Sequence, residues 1–498
     1  MLFLFLCVKM LLSNVVNGQA SLIQCLESHS LPTIVESSPN YLSATQDFNL
    51  RVKWKPLVLV TPSTAEEVSS AVQCANTHNV KVAARGGGHS YAGNGMGGAD
   101  GSLVIDMKKF KTLRVDPDTH EAIIGAGNRL GNVATALYEH GERGLPHGTC
   151  PGVGFAGHAL HGGYGHASRM WGTTLDNIIS VEVVLADGRI VNASETEHPD
   201  LFWAIRGTGS SFGIVTNFHL KTHPAPANGV SFSIIFPEVN DTSTWKKVDL
   251  FLAIQDFAVT RAPPELSMRV WTYTDVFGLF GAYWGTQSDF FRAIDPLLMK
   301  LPQDSKLSFD EADWLTSLRN SYDGSALPQP EEYTLRETFL AKSLVSPHKL
   351  TAPALHSFFG YLSSPVARNA PTKWWVMLDL YGGAGSAISA FPSSWSSYAH
   401  RDALWTIQLY AYTDNHLPPF PDAAYPFMDV MLRSLTSAQN ETAFGAYLNY
   451  IDPTIPPEKA YKLYYGDRLE KLREIKRRFD PEERFWHPQA INVGSRGV

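Results

Sequence analysis

The side chains best suited to chemistry lie in two glycine-rich loops. The longer loop, 148–172, holds Cys150 and three histidines among eight glycines, and the shorter loop, 85–91, places His89 directly after three glycines. Glycine loses much backbone entropy on folding and gives no side chain to a core. Such clusters therefore indicate a backbone that lies flat against one large ligand. An imidazole and a thiol are both nucleophiles, so we expect His89 and Cys150 to be covalent attachment points for that ligand.

Cysteine usage supports a chemical role for Cys150. The chain has four cysteines, and Cys7 falls in an apolar N-terminal stretch that we expect to be removed. Three cysteines remain, so two can pair and the third must be free, intermolecular or chemically used. The alternative for Cys150 is a small buried thiol, and the alternative for His89 is a hydrogen-bond donor within its loop.

The N-terminus has the pattern of a secretory signal peptide. A short apolar stretch, interrupted by Lys9, is followed by small and polar residues up to Ala20. A membrane span needs roughly 20 apolar residues, so a cleaved signal over 1–20 is favoured over an anchor. We therefore predict a secreted, extracellular protein. Three Asn-X-Ser/Thr sequons fit this prediction: Asn192, Asn240 and Asn440.

Charge and histidine spacing argue against two kinds of partner. The net charge is −7 and no basic stripe is present, which excludes nucleic acid as the expected partner. His158, His161 and His166 have no accompanying Cys-x-x-Cys or His-Glu-x-x-His pattern. We therefore expect these histidines to form hydrogen bonds in a polar pocket, and we predict no metal site.

Two short motifs match well-known patterns in the wrong context. Residues 152–157 match G-x-G-x-x-G, but the preceding Gly-Leu-Pro-His-Gly-Thr-Cys-Pro stretch does not read as the strand that a dinucleotide fingerprint requires. Residues 209–213 match G-x-S-x-G, with Ser211 as the nucleophile. That hydrolase turn runs from strand to helix, whereas this loop is predicted to run from helix to strand. Both matches are interpreted as accidental.

The elements that must position the two loops follow from local patterns. A strand within 51–62, a helix capped by Thr64 and a strand over 81–85 predict a βαβ-like unit that leads into the shorter loop. The longer loop is followed by a predicted hairpin over 180–191, with Asp187-Gly188 as its turn.

Chain length and breaks in the residue pattern predict more than one lobe. A chain of 498 residues is too long for one core. The proline-rich segment 223–229 marks the first predicted domain boundary. The second lies near Ala446, where the residue pattern of the sequence changes. The last part ends in an amphipathic helix in which Leu469, Leu472, Ile475 and Phe479 share one face. The basic run 471–478 is interpreted as the solvated face of that helix.

We therefore predict an α+β protein with two lobes. The second lobe is expected to contain a large sheet backed by helices on one side. The predicted segments are a signal peptide over 1–20, a first domain over 21–222, a second domain over 223–445 and a C-terminal segment over 446–498.

Five motifs occur in the order found in one protein family. They are Arg85-Gly-Gly-Gly-His-Ser-Tyr91, Gly148-Thr-Cys-Pro151, Gly157-His-x-x-x-Gly-Gly-Tyr-Gly165, Asp200-Leu-Phe-Trp-Ala-x-Arg-Gly207 and Tyr447-Leu-Asn-Tyr-x-Asp452. The chain resembles the berberine-bridge-type FAD-linked oxidases, which have the vanillyl-alcohol-oxidase fold with a PCMH-type FAD domain. It is most similar to the fungal oligosaccharide oxidases. The resemblance covers nearly the whole chain after the predicted signal.

The resemblance implies FAD as the cofactor, held covalently through His89 and Cys150. It also implies a disulfide between Cys25 and Cys74 and a C-terminal segment that returns to the FAD domain. The further residues that it implies for cofactor binding are Arg85, Gly86, Gly87, Gly88, Ser90, Tyr91, Gly148, Thr149, Gly154, Gly157, His158, Gly162, Gly163, Tyr164, Gly165, Ile214, Val215, Tyr447 and Asn449.

The resemblance also implies the catalytic residues. Tyr450 is expected to remove the proton of an alcohol while hydride passes to the flavin, and Asp379 is expected to assist. A tyrosine with a reference pKa near ~10 is a poor base at neutral pH unless a neighbour favours its phenolate or accepts its proton. Residue type alone favours other roles, a core aromatic for Tyr450 and a turn or cap for Asp379.

Four residues are expected to contact the substrate: Tyr91, Trp271, Met377 and Gln408. Related oligosaccharide oxidases have polar side chains where this chain has Trp271 and Met377. Trp271 could stack on a sugar, but Met377 does not hydrogen-bond a hydroxyl. The alternative substrate is therefore a more apolar alcohol. His161 replaces a glycine of many relatives near the predicted path of oxygen, which leaves oxidase and dehydrogenase behaviour both open.

The function implied is oxidation of the C1 hydroxyl of an oligosaccharide to a lactone, with hydrogen peroxide formed from molecular oxygen by a monomeric enzyme. The alternative within enzymes is an oxidase or dehydrogenase of an aromatic or alkaloid-like secondary metabolite that uses the same flavin. A catalytically silent flavin-fold protein that binds sugars or a partner is the alternative from another class. The presence of His89, Cys150, Tyr450 and Asp379 together argues against it.

Overall fold

The computed structural model describes residues 19–237, 243–273, 276–439 and 444–494. The strands in these residues are β1 Thr33–Ile34, β2 Val58–Val60, β3 Val82–Arg85, β4 Leu103–Asp106, β5 Leu113–Val115, β6 Glu121–Gly125, β7 Arg143–Gly144, β8 Ile178–Val184, β9 Ile190–Ser194, β10 Ile214–Lys221, β11 His223–Pro224, β12 Gly229–Ile235, β13 Leu266–Tyr273, β14 Val276–Tyr283, β15 Lys306–Ala312, β16 Phe339–Ser346, β17 Lys373–Leu380 and β18 Trp405–Tyr412.

The α-helices are α1 19–28, α2 Tyr41–Ala44, α3 Ala65–Thr77, α4 Leu130–Glu139, α5 Phe155–Leu160, α6 Ser168–Trp171, α7 Pro199–Thr208, α8 Thr244–Thr260, α9 Gln287–Leu298, α10 Trp314–Asn320, α11 Ala352–Leu362, α12 Pro365–Arg368, α13 Ala424–Thr436, α14 Pro457–Tyr465 and α15 Leu469–Phe479. None of the helices in the described ranges combines the length and apolarity that crossing a membrane requires. Strands and helices are mixed throughout, which confirms the predicted α+β class.

A small sheet positions the shorter glycine loop. Its strand order is β1-β2-β4-β3, with β2, β4 and β3 parallel. Thr64 caps α3 by accepting a hydrogen bond from the backbone N–H of Glu67 at 3.2 Å. The predicted strand–helix–strand unit is therefore confirmed, and β3 runs directly into loop 85–91.

A second, antiparallel sheet lies beside it, with the order β5-β6-β10-β8-β9. The predicted hairpin is β8 and β9, which pair from Ser180 with Ser194 to Val184 with Ile190. The loop 209–213 runs from α7 into β10, as predicted, so Ser211 is not on a strand-to-helix turn. The longer glycine loop contains the short helices α5 and α6, and it lies between β7 and β8 in the chain.

The third sheet has seven antiparallel strands in the order β15-β12-β14-β13-β17-β18-β16. Because side chains alternate between the faces of a strand, its central strands have one apolar face and one mixed face. The apolar face packs under α8, α9, α11 and α13, with Val270, Val376, Leu378, Ile407 and Leu409 fully buried there. The opposite face of the same strands carries Arg269, Trp271, Met377, Asp379, Gln408 and Tyr410.

The buried side chains form two main cores. One core takes its residues from 22–220 and from 446–491, with a few from 345–403. The other takes its residues from 230–444. The C-terminal segment thus packs with the N-terminal part of the chain. Cys25 and Cys74 form a disulfide between α1 and α3, as predicted.

The basic run of the last helix differs from its prediction. Lys476 is fully buried, and its ammonium group lies 2.7 Å from Asp480, 2.6 Å from the Ser211 carbonyl and 3.0 Å from the Phe485 carbonyl. The interpretation of 471–478 as a solvated face was therefore wrong at this residue. A cation at the core-facing position is tolerated because a carboxylate and two carbonyls replace its water.

We expect Lys476→Met to lower the free energy of unfolding by about 3–5 kcal/mol, because it leaves Asp480 as an unpaired buried charge. Urea unfolding followed by tryptophan fluorescence measures the change. Lys471→Met on the same helix is the matched control, since Lys471 is exposed, and its cost should stay within about 1 kcal/mol. Equal costs for the two variants would contradict the role assigned to the buried ammonium group.

Candidate active site

The two glycine loops border one cavity of about 770 Å³. Its other walls include the mixed face of the seven-stranded sheet and residues from 322–337, 447–451 and 485–487. The predicted site residues that line it are Arg85, Gly86, Gly87, Gly88, His89, Ser90, Tyr91, Gly148, Thr149, Cys150, Gly154, Gly157, His158, Tyr164, Ile214, Val215, Met377, Gln408, Tyr447, Asn449 and Tyr450. Segments that lie far apart in the chain therefore meet around a single volume.

The two loops touch where glycine is needed. A Cβ on Gly87 would lie 2.5 Å from the backbone of Gly154, and a Cβ on Gly154 would lie 2.3 Å from the backbone N of Gly87. No side chain fits at such distances, so these glycines allow the backbones to lie against each other. This contact places the loop of His89 beside the loop of Cys150.

The imidazole of His89 is held between aromatic rings. Phe48 stacks on it with ring centroids 3.9 Å apart and an angle of 14° between the planes, and Tyr333 meets it edge-on at 5.9 Å. Burial lowers the pKa of His89 to about 4. The ring is therefore neutral near pH 7, with a lone pair available for bond formation.

Cys150 is the free cysteine of the described residues, and its side chain is exposed to the cavity. It lies deep in the molecule, so burial raises the pKa of its thiol, while the charge of Arg269 and a hydrogen bond from Thr149 lower it in part. A thiol with a raised pKa is a weak nucleophile near pH 7. Any attachment at Cys150 therefore depends on close placement of its partner.

Two tyrosines, Tyr91 and Tyr447, pack against the predicted base. Tyr450 stacks on Tyr91 with ring centroids 5.9 Å apart and an angle of 10° between the planes, and Tyr447 lies perpendicular to it at 5.0 Å. The hydroxyl of Tyr447 accepts hydrogen bonds from the Gly163 N–H and the Asn449 amide, both at 2.9 Å. Tyr447 and Asn449 thus fix the short turn that carries Tyr450.

Burial raises the pKa of Tyr450 well above its usual value, and the nearby negative charge of Asp379 raises it further. The charge of Arg269 opposes this shift. At neutral pH the hydroxyl of Tyr450 therefore carries its proton. To act as a base, it must pass that proton on as it receives another.

Asp379 is held by a residue that sequence reasoning missed as a functional one. Arg269 Nε donates to Asp379 Oδ1 at 2.8 Å across the β13–β17 pair. Asp379 Oδ2 is buried and has no hydrogen-bond partner among the described residues. Burial raises the pKa of Asp379, and Arg269 lowers it. The alternation of β13 could have identified Arg269, since it shares a face with Trp271.

The substrate candidates separate into two groups. Gln408 donates to the Tyr91 hydroxyl at 3.0 Å, and with Met377 these side chains line the cavity. Trp271 does not reach the wall; it lies edge-on to Trp375 at 6.2 Å. Trp375, which does line the cavity, stacks on Tyr410 at 4.4 Å. The sheet therefore offers an aromatic platform beside one polar pair.

Five predicted residues do not line the cavity: Gly162, Gly163, Gly165, Trp271 and Asp379. Gly162 and Gly163 border the ring of Tyr447, and a Cβ on Gly165 would lie 1.5 Å from the His147 carbonyl oxygen. Gly162 and Gly163 therefore contact the C-terminal segment through Tyr447, whereas Gly165 allows close packing against the backbone of His147, which directly precedes the loop. Asn192 is exposed on β9, whereas Asn240 and Asn440 lie outside the described residues.

The histidines of the longer loop form hydrogen bonds. His158 Nε2 accepts from the Gly148 N–H at 3.0 Å, His161 Nε2 pairs with the Ser210 hydroxyl at 3.0 Å, and His166 pairs with Ser267. In the described residues, the one His/Cys cluster with metal-like spacing consists of Cys25, His29 and Cys74. Its two cysteines form the disulfide.

Comparison with known proteins identifies the family. Residues 56–194 match the model of an FAD-binding domain, and residues 446–492 match the model of berberine and berberine-like proteins. Xylooligosaccharide oxidase of Thermothelomyces thermophilus is 39% identical over 476 residues, which cover 95% of this chain and 94% of that protein. The chain belongs to the berberine-bridge-type FAD-linked oxidases.

Solved structures of this family have the same fold. Xylooligosaccharide oxidase from Myceliophthora thermophila C1, in complex with xylobiose, matches with a TM-score of 0.90 and 38% identity over 95% of this chain and all of that chain. Glucooligosaccharide oxidase from Acremonium strictum, studied for the roles of its 6-S-cysteinyl, 8α-N1-histidyl FAD, matches with a TM-score of 0.90 and 35% identity, covering 96% of this chain and 100% of that one.

The cavity fits the cofactor of this family. FAD needs close approach of backbone to its long body, and loop 85–91 provides three glycines in succession where β3 ends. An imidazole and a thiol both face the same volume. The chain is therefore an FAD-dependent oxidoreductase whose cavity contains side chains suited to covalent attachment.

Proposed function

We propose that the chain oxidises the C1 hydroxyl of an oligosaccharide to a lactone, with FAD attached through His89 and Cys150 and dioxygen as the electron acceptor. The observation that carries this proposal is the meeting of His89, Cys150 and Tyr450 around one cavity. Such an oxidation requires a flavin beside the alcohol carbon and a base for its proton; His89 and Cys150 would hold the flavin, and Tyr450 would act as the base. Bound FAD would supply the acceptor for the hydride of the alcohol carbon.

The proton of the alcohol has a route through residues of this chain. We infer that Tyr450 Oη accepts it while the proton of Tyr450 moves towards Asp379, whose Oδ2 has a free buried lone pair. Arg269 keeps Asp379 oriented, because it bonds the other carboxylate oxygen. Arg269 also opposes the rise in the pKa of Tyr450, and so stabilises negative charge on the phenolate during the step.

The cavity wall supports a sugar as the substrate. Gln408 and Tyr91 form a polar pair that can bond ring hydroxyls, and Trp375 presents an aromatic ring backed by Tyr410. Aromatic faces with a few placed polar groups are typical of specific small-molecule sites. Relatives named as xylo-, gluco- and chitooligosaccharide oxidases support the same substrate class.

A second candidate is oxidation of an aromatic alcohol. Met377 and Tyr410 line the cavity beside Trp375, and together they present an apolar surface to the substrate. An anaerobic screen separates the candidates: loss of flavin absorbance is followed with xylo-, cello- and chito-oligosaccharides and with aromatic alcohols. Bleaching by an oligosaccharide is the expected result. Bleaching by the aromatic alcohols alone would overturn the carbohydrate proposal.

We predict that Met377→Gln raises kcat/KM for the preferred oligosaccharide by about three- to tenfold, because one new hydrogen bond to a sugar hydroxyl contributes about 0.5–1.5 kcal/mol. Peroxide release measured against substrate concentration gives the ratio. Met299→Gln is the matched control, since Met299 is 75% exposed on the surface and does not line the cavity. An unchanged or lower ratio for Met377→Gln would show that this residue does not face the sugar.

We propose further that the chain is secreted as a monomer after loss of residues 1–20, and that its domains are divided at 222–223 and 445–446. The Cys25–Cys74 disulfide supports an oxidising compartment. Exposure of Asn192 supports glycan attachment there. The two cores, one built from 22–220 with 446–491 and the other from 230–444, support the division.

A further inference from the structure

We propose that Tyr333 is a positioning residue for the cofactor: with Arg129 and Phe48, it holds the two glycine loops at the spacing that lets His89 and Cys150 bind the same flavin. This inference rests on the proposed attachment of FAD at both residues. It concerns the segment 321–338, which joins α10 to β16 and crosses over both loops. No motif in the sequence marks this segment.

The hydroxyl of Tyr333 touches both loops at once. Its oxygen lies 2.6 Å from the carbonyl oxygen of Gly87 and 2.9 Å from the carbonyl oxygen of Gly152. Gly87 precedes His89 by two residues, and Gly152 follows Cys150 by two. A single hydroxyl hydrogen shared between these two acceptors joins the backbone beside one attachment point to the backbone beside the other.

Arg129 supports the same junction from the start of α4. Its Nη1 donates to the carbonyls of Gly87 at 3.2 Å and Gly152 at 2.5 Å, and its Nη2 donates to the Glu331 carbonyl at 2.6 Å. The guanidinium carbon lies 4.1 Å from the centre of the Tyr333 ring. Arg129 therefore fixes the tyrosine ring and shares its two carbonyl acceptors.

Phe48 completes the arrangement on the His89 side only. Its ring lies flat on the imidazole at 3.9 Å and meets Tyr333 edge-on at 5.2 Å. Its backbone N–H donates to the Gly88 carbonyl at 2.9 Å, and its carbonyl accepts from the Glu337 N–H at 3.0 Å. The plane of the imidazole is thus set by a ring that makes no comparable contact with Cys150.

Attachment at two points requires this kind of placement. Each new bond joins a side-chain atom to a flavin carbon; one hydrogen leaves the side chain and one leaves the flavin carbon or its methyl group. Each bond formation is therefore a two-electron oxidation that releases two protons and two electrons, and dioxygen would take both up as hydrogen peroxide. Because the flavin ring is rigid, a loop displaced by about 1 Å removes one bond without affecting the other.

Tyr333→Phe tests the role of the hydroxyl, because the ring and its contact with Arg129 remain. The protein is purified as secreted with its flavin and digested, and peptide mass spectrometry counts chains with flavin at both residues, at one or at neither. We expect the ratio of doubly to singly attached chains to fall by about tenfold, the factor that corresponds to loss of one hydrogen bond to a buried carbonyl. Thermal unfolding of each sample reports the fold separately.

Two further variants make the result specific. Phe48→Leu keeps an apolar side chain but removes the flat ring, so it should deplete attachment at His89 and preserve attachment at Cys150. Tyr138→Phe is the matched control, since Tyr138 lies on α4 and does not line the cavity, and its ratio should equal that of the unchanged protein. If Tyr333→Phe also keeps the unchanged ratio, the positioning role is overturned. Absence of covalent flavin from the unchanged protein would instead overturn the proposed function.

Discussion

Replacement of Tyr450 by phenylalanine is expected to lower the rate of flavin reduction by about 10²- to 10⁴-fold, the range typical of a lost general base. The turn 447–450 presents the hydroxyl group of Tyr450 to the cavity, beside the ring of Tyr91. Stopped-flow mixing with substrate under nitrogen measures the rate directly. Covalent flavin content should stay unchanged, because the variant keeps the ring and its stacking. A rate within about threefold of the unchanged enzyme would remove Tyr450 from the role of base.

The pH dependence of that rate has a definite sign. The relay requires Asp379 in its ionised form, and burial raises the pKa of that carboxyl while Arg269 lowers it in part, so the fraction able to accept the proton of Tyr450 grows as the pH rises. The reductive rate of the unchanged enzyme should therefore increase with pH, and Tyr450→Phe should lose this dependence. A rate that falls from pH 6 to pH 9 in the unchanged enzyme would contradict the assignment.

Asp379→Asn separates two roles of that carboxyl group. If Asp379 accepts the proton of Tyr450, the amide has no site for it and the rate should fall. If Asp379 acted through its charge alone, removal of that charge would lower the pKa of Tyr450 and the rate would rise. The free Oδ2 atom favours the first result.

The second large effect concerns attachment of the cofactor. His89→Ala and Cys150→Ala should each retain flavin on the denatured chain, whereas the double variant should release all of it, because each residue forms an independent bond. Unfolding in guanidinium followed by filtration separates bound from released flavin, and absorbance quantifies both. His161→Ala is the control, since His161 lines the cavity but bonds Gly157 and Ser210. Release of all flavin by either single variant would contradict the two-bond scheme.

The two glycine-rich loops could be predicted from the sequence, but the side chains that hold these loops in place could not. Runs of glycine next to His89 and Cys150 identify backbone that approaches a ligand, and local rules place β3, α3 and the β8–β9 hairpin correctly. Tyr333, Phe48 and Arg129 carry no such signal, because each acts through contacts with residues that are distant in the chain. Tertiary packing decided their roles.

Alternation along a strand explains which of the predicted substrate residues line the cavity. Met377 and Gln408 were predicted to contact the substrate, and both line the cavity, while Trp271 shares their face but ends beside Trp375. The face of a strand follows from its period of two, whereas the edge of the cavity depends on how the whole sheet meets the loops. Lys476 shows the same limit, since a lysine in a basic run gives no sign of the buried Asp480 that pairs with it.

The central claim is that one flavin is bonded to the polypeptide at an imidazole and at a thiol. Precipitation of the purified enzyme with acid, followed by protease digestion and mass spectrometry of the yellow fraction, tests it most directly. The expected product is a single flavin that links the peptide containing His89 to the peptide containing Cys150. A colourless precipitate with all flavin in the supernatant would contradict the claim.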